Sequence, residues 1–185
     1  MYATGYKRLF WGMVFIIFDI YLGYINILPD FIGYIFIYSA LNILEIQQSM
    51  YKKAKIATIL LIILTIKNLW QDPGNNIFSG GFYNLGTGTL LLGTVVTILK
   101  LYIFYILCLG IYELSKGREL DSLKESTEGC WKFYFWVSLA SLSCTPFFLN
   151  LNIDLKLGII IIVGIFQVIA GIRLALLFRK CKIEL

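Results

Sequence analysis

Six long apolar runs divide this chain, and thirteen of its sixteen Lys and Arg residues fall in alternate gaps between them. Lys7 and Arg8, then Lys52, Lys53 and Lys55, then Lys116, Arg118, Lys124 and Lys132, and finally Arg173, Arg179, Lys180 and Lys182 occupy one set. Only Lys67 and Lys156 fall in the other set, and Lys100 lies inside a run. Segments retained in the cytoplasm keep Lys and Arg while translocated ones exclude them, so the alternation predicts a membrane topology with both ends inside.

The expected spans are about Leu9 to Tyr24, Phe31 to Ile46, Ile56 to Trp70, Thr89 to Tyr112, Phe133 to Leu149 and Leu157 to Phe178. Composition agrees with that reading. Of 185 residues, 59% are hydrophobic and 15% charged, well above the ~45–50% apolar content of soluble domains. At about 20 residues per crossing, six spans fill the chain and leave no room for a separate soluble domain. The predicted fold is therefore all-α: one integral membrane domain, residues 1–185, forming a six-helix transmembrane bundle, N-in and C-in. Several spans are short, which calls on flanking Tyr, Trp and Lys to bridge the interface.

The net charge of +5 does not point to nucleic acid, because the cations flank apolar runs instead of forming a basic stripe. The lipid bilayer, through its anionic headgroups, is the expected counterpart. Lys7 and Arg8 ahead of an apolar run mimic a secretion signal, but no small-x-small cleavage pattern follows, so the run reads as a retained first span. Cys108, Cys130, Cys144 and Cys181 lack paired spacing and fall mostly toward the reducing side, which indicates neither a disulfide framework nor a metal site.

Between the first two runs INILPD makes a tight turn, with Pro29 fitting a first helical turn and Asp30 complementing the positive end of the next helix. The polar stretch Glu113 to Cys130 reads as a solvated cytoplasmic loop. On the outer side, QDPGNNIFSGGFYNLGTG is rich in Gly and Asn, carries Phe78, Phe82 and Tyr83, and fits a mobile cover, a short hairpin or a headgroup-level anchor. Tyr21, Tyr24, Trp70 and Phe82, with Phe147, form a candidate aromatic rim.

At helical spacing Gly12, Asp19 and Gly23 share one face of the first span. Thr89, Gly93, Thr97 and Lys100 do so on the fourth, and Gly164, Gln167 and Gly171 on the sixth. Tyr34, Tyr38, Asn42 and Glu45 on the second span, Thr58, Thr65 and Asn68 on the third, and Ser138, Ser141 and Thr145 on the fifth complete six polar stripes. They fit either a polar cavity or helix-packing contacts. An ionised group within a span costs at least ~2.5–3.5 kcal/mol unless it is paired, snorkels or is hydrated. Asp19 and Lys100 both fall near mid-depth, so they either form an intramembrane pair or are separately solvated. With Gln167 they make the candidate intramembrane polar site. Glu45 and Arg173 read as interfacial groups, with a lipid-headgroup contact as the alternative for them.

The absence of histidine removes His-based acid–base and triad chemistry, and neither nucleophile turns nor clustered carboxylates appear in the spans. No catalytic residue and no cofactor is expected. Function reads as a non-enzymatic structural, accessory or partner-binding membrane component, with small-solute binding or transport as the alternative. A membrane protein partner or a small solute would be the ligand.

Two resemblances accompany these residues. The segment GYKRLFWGMVFIIFDIYLGYINILPDFIGYIFIYSAL, centred on ILPDFIGY (Ile27 to Tyr34), resembles the N-terminal hairpin of uncharacterised small polytopic membrane proteins of Gram-positive, low-GC bacteria. It covers about a fifth of the chain, implies a bacterial plasma-membrane location, and implies no activity. Six spans in this length also resemble the substrate-binding components of energy-coupling-factor vitamin importers. Those carry an AxxxA motif near the start, and LFWGMVFIIFDIYLGY has none, so this likeness extends to layout alone.

Overall fold

Each apolar run carries a helix, and the helices differ in length by more than twofold. The computed structural model describes residues 2–18, 21–22, 25–26, 29–66 and 87–185. Among these, α1 spans Tyr2–Ile17, α2 Asp30–Leu44, α3 Ala54–Thr65, α4 Thr87–Gly117, α5 Asp121–Cys144 and α6 Ile153–Glu184. A minimal antiparallel ladder, Tyr21–Leu22 with Ile25–Asn26, sits between α1 and α2. The architecture is an all-α, six-helix bundle. Helices α4 and α6 are long and apolar enough to cross a membrane. Helices α1, α2 and α3, at 16, 15 and 12 residues, are shorter than the ~20 residues a crossing takes.

The helices pack in chain order as a closed ring: α1 on α2, α2 on α3, and so on to α6, which returns to α1. Helical spacing of the inward residues explains the order. On α5, Leu123, Thr127, Cys130, Tyr134 and Ser138 are buried, at steps of four, three, four and four that keep one face inward. On α1 the inward set is Tyr6, Leu9, Gly12 and Met13. Backbones touch where α1 crosses α2. A Cβ on Gly12 would lie 2.8 Å from the Gly33 carbonyl oxygen, and one on Gly33 would lie 2.7 Å from that of Gly12.

Several boundaries differ from the sequence expectation. The first helix stops at Ile17 instead of continuing to Tyr24. Pro29 takes the N-cap position, one residue before the helix, and Asp30 opens the first turn. The largest change is the polar stretch Glu113 to Cys130, which is helical on both sides of a turn at Arg118, Glu119 and Leu120. Glu119 adopts φ 58° there, and the Leu120 N–H donates to the Ser115 carbonyl at 2.9 Å, closing the end of α4 as a left-handed cap does. The reason is periodicity: Leu123, Thr127 and Cys130 give this charged segment an inward face.

Among the described residues, the buried side chains lie in one half of the ring. Helix α4 has no buried residue before Ile103, α5 none beyond Ser138, and α6 none before Ala170. The half that is packed is also the cationic pole. Tyr6 donates to Gln47 Oε1 at 3.2 Å, Arg118 donates to the Leu185 carbonyl at 2.9 Å, and Lys55 pairs with Glu45 at 2.6 Å. Lys180 donates to Ser122 and Ser126. These contacts tie α1, the α2–α3 connection, α4, α5 and α6 together at the end that carries most of the Lys and Arg residues.

Candidate functional site

The site begins with Lys100, one helical turn beyond the last buried residues of the packed half. It stands 13 residues into α4, about 20 Å from its start. Helix α2 begins at that level, because its first residue, Asp30, reaches the lysine: Lys100 Nζ lies 3.8 Å from Asp30 Oδ2. The side chains are largely withdrawn from solvent, 25% and 14% exposed. The N-terminus of α2 adds its positive partial charge to the carboxylate's surroundings, so Asp30 is stabilised as an anion from two sides. Lys100 Nζ also lies 6.0 Å from the ring centroid of Tyr34, at the outer limit of cation–π contact.

Beside Lys100 is a cavity of about 120 Å³, lined by Met13 of α1, Lys100 and Phe104 of α4, Tyr134 of α5, and Gln167 and Gly171 of α6. Phe104 and Tyr134 meet edge to face, centroids 5.1 Å apart. Gln167 Nε2 donates a long hydrogen bond, 3.5 Å, to Ser138 Oγ. The nearby Tyr34 hydroxyl, fully buried, has no hydrogen-bond partner among the described residues. An ammonium, an amide and the Tyr134 phenol thus share one small space whose other walls, including Met13, Ile16, Ile17, Phe104 and Val168, are apolar. Such a set can hold a polar or anionic solute through charge-assisted hydrogen bonds. It offers no nucleophile beside a base.

Lys100 and Gln167, two of the three residues of the expected polar site, line one cavity. Asp19 lies outside the described residues, and the carboxylate that Lys100 meets is Asp30. Of the expected rim, Tyr24, Trp70 and Phe82 lie outside the described residues, and Tyr21 is placed by its backbone alone, in the short ladder. Phe147 is exposed. Asn68 and most of the Gly- and Asn-rich outer segment also fall outside; its last two residues, Thr87 and Gly88, open α4.

The stripe of small residues splits in two. Gly171 abuts Ile17, where a Cβ would come within 2.8 Å, whereas Gly93 and Gly164 face open space. Thr89 is exposed and Thr97 bonds back to the Gly93 carbonyl, so that end of the fourth stripe makes no interhelical contact. The buried hydroxyls of Thr58, Thr65, Ser115 and Thr127 likewise donate to carbonyls four residues back on their own helices. Their polarity is met locally, not across the bundle.

Sequence reasoning missed the polar cluster at the cationic pole. Tyr51, in the 3-10 turn Ser49–Lys53, lies fully buried against Gly110, where a Cβ would be 2.4 Å from its ring. Burial raises both the Tyr51 and Tyr6 hydroxyls above the ordinary tyrosine range, with Tyr6 raised further by the Cys181 thiol. Both stay protonated, and Tyr6 donates to Gln47. Gly110 stands between Leu109 and Ile111, but its spacing alone does not name Tyr51 as its neighbour.

No protein-family model, curated protein or solved structure matches the chain. Its function is therefore argued from the geometry above.

Proposed function

We propose that this chain is a non-enzymatic polytopic membrane protein of a bacterial plasma membrane, an accessory or partner-binding component whose ring of helices encloses a small polar chamber. One observation carries the reading: the outer faces of the bundle are apolar, although its packed core is apolar as well. Large apolar side chains such as Trp136, Leu91, Ile162 and Ile165 are exposed along the outer faces, while Lys100, Asp30, Ser138 and Gln167 are drawn inward. A soluble protein rarely exposes apolar patches beyond a few hundred Å², whereas lipid favours this arrangement. The gathering of cations at one pole supports a topology of six crossings with that pole in the cytoplasm. Helices α4 and α6 have the length for a crossing, and α1 to α3 pack against their inner halves.

Topology is tested by placing single cysteines at Lys53, Lys116 and Lys156 and labelling sealed vesicles with an impermeant maleimide, against the unsubstituted chain. Lys53→Cys and Lys116→Cys should react from the cytoplasmic side and Lys156→Cys from the other. Labelling of the first two from opposite sides overturns the topology, and release of the chain by alkaline carbonate overturns the membrane reading.

The second reading, small-solute binding, is favoured by the cavity beside Lys100, into which Lys100, Tyr134 and Gln167 bring polar groups. Native mass spectrometry of the gently purified chain separates the two. A stoichiometric protein partner supports the accessory role. A bound small molecule that is lost in Lys100→Met replaces it with the solute-binding one.

A further inference from the structure

At the cationic pole, α5 and α6 leave between them a groove of about 260 Å³, lined by Ser126, Cys130, Arg173, Leu176, Leu177 and Lys180. Two cations stand in it, seven residues apart on α6, so they share a face about 10 Å apart along the axis. Both are positioned by neutral groups. The Arg173 guanidinium lies 4.9 Å from the Phe133 ring centroid. Lys180 Nζ donates to the Ser122 carbonyl at 3.1 Å, to Ser122 Oγ at 2.9 Å and to Ser126 Oγ at 3.1 Å. Among the described residues Arg173 has no carboxylate within ion-pair distance, and Lys180 has only Glu184, 3.9 Å away. The groove is therefore a held, incompletely neutralised pair of cations.

Beside it runs an apolar ridge. Ile165, Ile169, Ile172 and Leu176 are all exposed and follow one another at steps of four, three and four, forming one stripe along α6. By helical geometry Arg173 and Lys180 lie within about 70° of that stripe. A site with two cations at the end of an exposed aliphatic track matches a molecule with an anionic head and hydrocarbon tails. The arginine fork suits phosphate oxygens in particular, which it can engage bidentately.

We propose that this groove binds the phosphate headgroup of an anionic phospholipid, whose acyl chains lie along the Ile165–Leu176 ridge. The inference rests on the membrane reading above. Free phosphate shares the headgroup chemistry but makes no use of the ridge.

The test reconstitutes the full chain into vesicles of phosphatidylcholine and into vesicles of equal parts phosphatidylcholine and phosphatidylglycerol, then reads the lipid retained per chain by native mass spectrometry. Phosphatidylglycerol should be retained in preference to phosphatidylcholine. Arg173→Gln with Lys180→Gln should weaken that retention by about 30-fold, the effect of two interfacial cations. Lys52→Gln with Lys53→Gln, which removes two exposed cations at the same pole, should leave it unchanged. Equal retention of both lipids by the unsubstituted chain overturns the proposal, whatever the folding of the variants, as does full retention in the Arg173/Lys180 variant. Thermal stabilisation by inorganic phosphate in phosphatidylcholine vesicles equal to that by phosphatidylglycerol would assign the groove to the ion instead. Failure to enter vesicles at all overturns the membrane reading and this site with it, whereas entry without lipid preference overturns this site alone.

Discussion

Leu107 and Ile162 carry side chains of the same size and have opposite surroundings. Leu107, in the C-terminal half of α4, is fully buried among the helices of the cationic pole. Ile162, in the N-terminal half of α6, is 58% exposed, and none of the described neighbours along that half is buried. The contrast extends through the molecule: one half of the ring interdigitates, and the described helices of the other stand apart. Apolar composition alone therefore does not set packing here. What separates the halves is shape, with Gly12, Gly33 and Gly110 bringing backbones and rings together in one, while Gly93 and Gly164 meet nothing in the other. In a bilayer, where hydrocarbon is already the solvent, close fit rather than escape from water holds helices together.

The sharpest way to break this comparison is to shorten one side chain in each half. Leu107→Ala should cost about 2–5 kcal/mol, as large-to-small core changes do, and Ile162→Ala should stay within about 0.5 kcal/mol. Reversible unfolding in mild detergent reads both. Equal losses would mean that the outer half is packed after all.

The boundary between the halves is marked by Lys100 and Asp30, so the next test is a double-mutant cycle. Lys100→Met and Asp30→Asn should each destabilise by about 1–3 kcal/mol, since each leaves a partly buried charge without its partner. The double variant should recover part of the sum, a coupling of at least about 0.5 kcal/mol. Strict additivity would disconnect the two side chains.

Glycine substitutions give the smallest effects and the clearest signs. Gly110→Ala places a methyl against the Tyr51 ring and should cost about 1–2 kcal/mol. Gly164→Ala meets open space and should gain up to about 1 kcal/mol from helix propensity. The same thermal unfolding experiment compares them, and a loss at Gly164 would reveal a contact there.

The six helices were legible because apolar runs of this length have few alternatives. The segment from Glu113 to Cys130 was not, because its charges suggested a loop. Charge there reports where the segment lies and not whether it coils, and the spacing of Leu123, Thr127, Cys130 and Tyr134 already held the helical answer. At the candidate site, Lys100 and Gln167 were readable as polar groups forced inward. The Asp30 contact was not, since Asp30 reaches Lys100 because α2 begins partway along α4, a length difference that the apolar runs conceal; Asp19 lies outside the described residues. The Tyr51–Gly110 contact depends on a turn meeting a distant helix, which no local pattern encodes.

The return of α6 to α1 sets a schedule for assembly. Helix α1 gains its first neighbour, α2, almost at once. Its second begins more than 130 residues later in the chain, a wait on the order of ten seconds at ribosomal speeds. Until then Ile17, against which Gly171 finally closes, stays uncovered on that flank, and the chamber beside Lys100 has no fourth wall. A ribosome stalled before α6 would leave an arc instead of a ring, so the chamber matures only once α6 has been made.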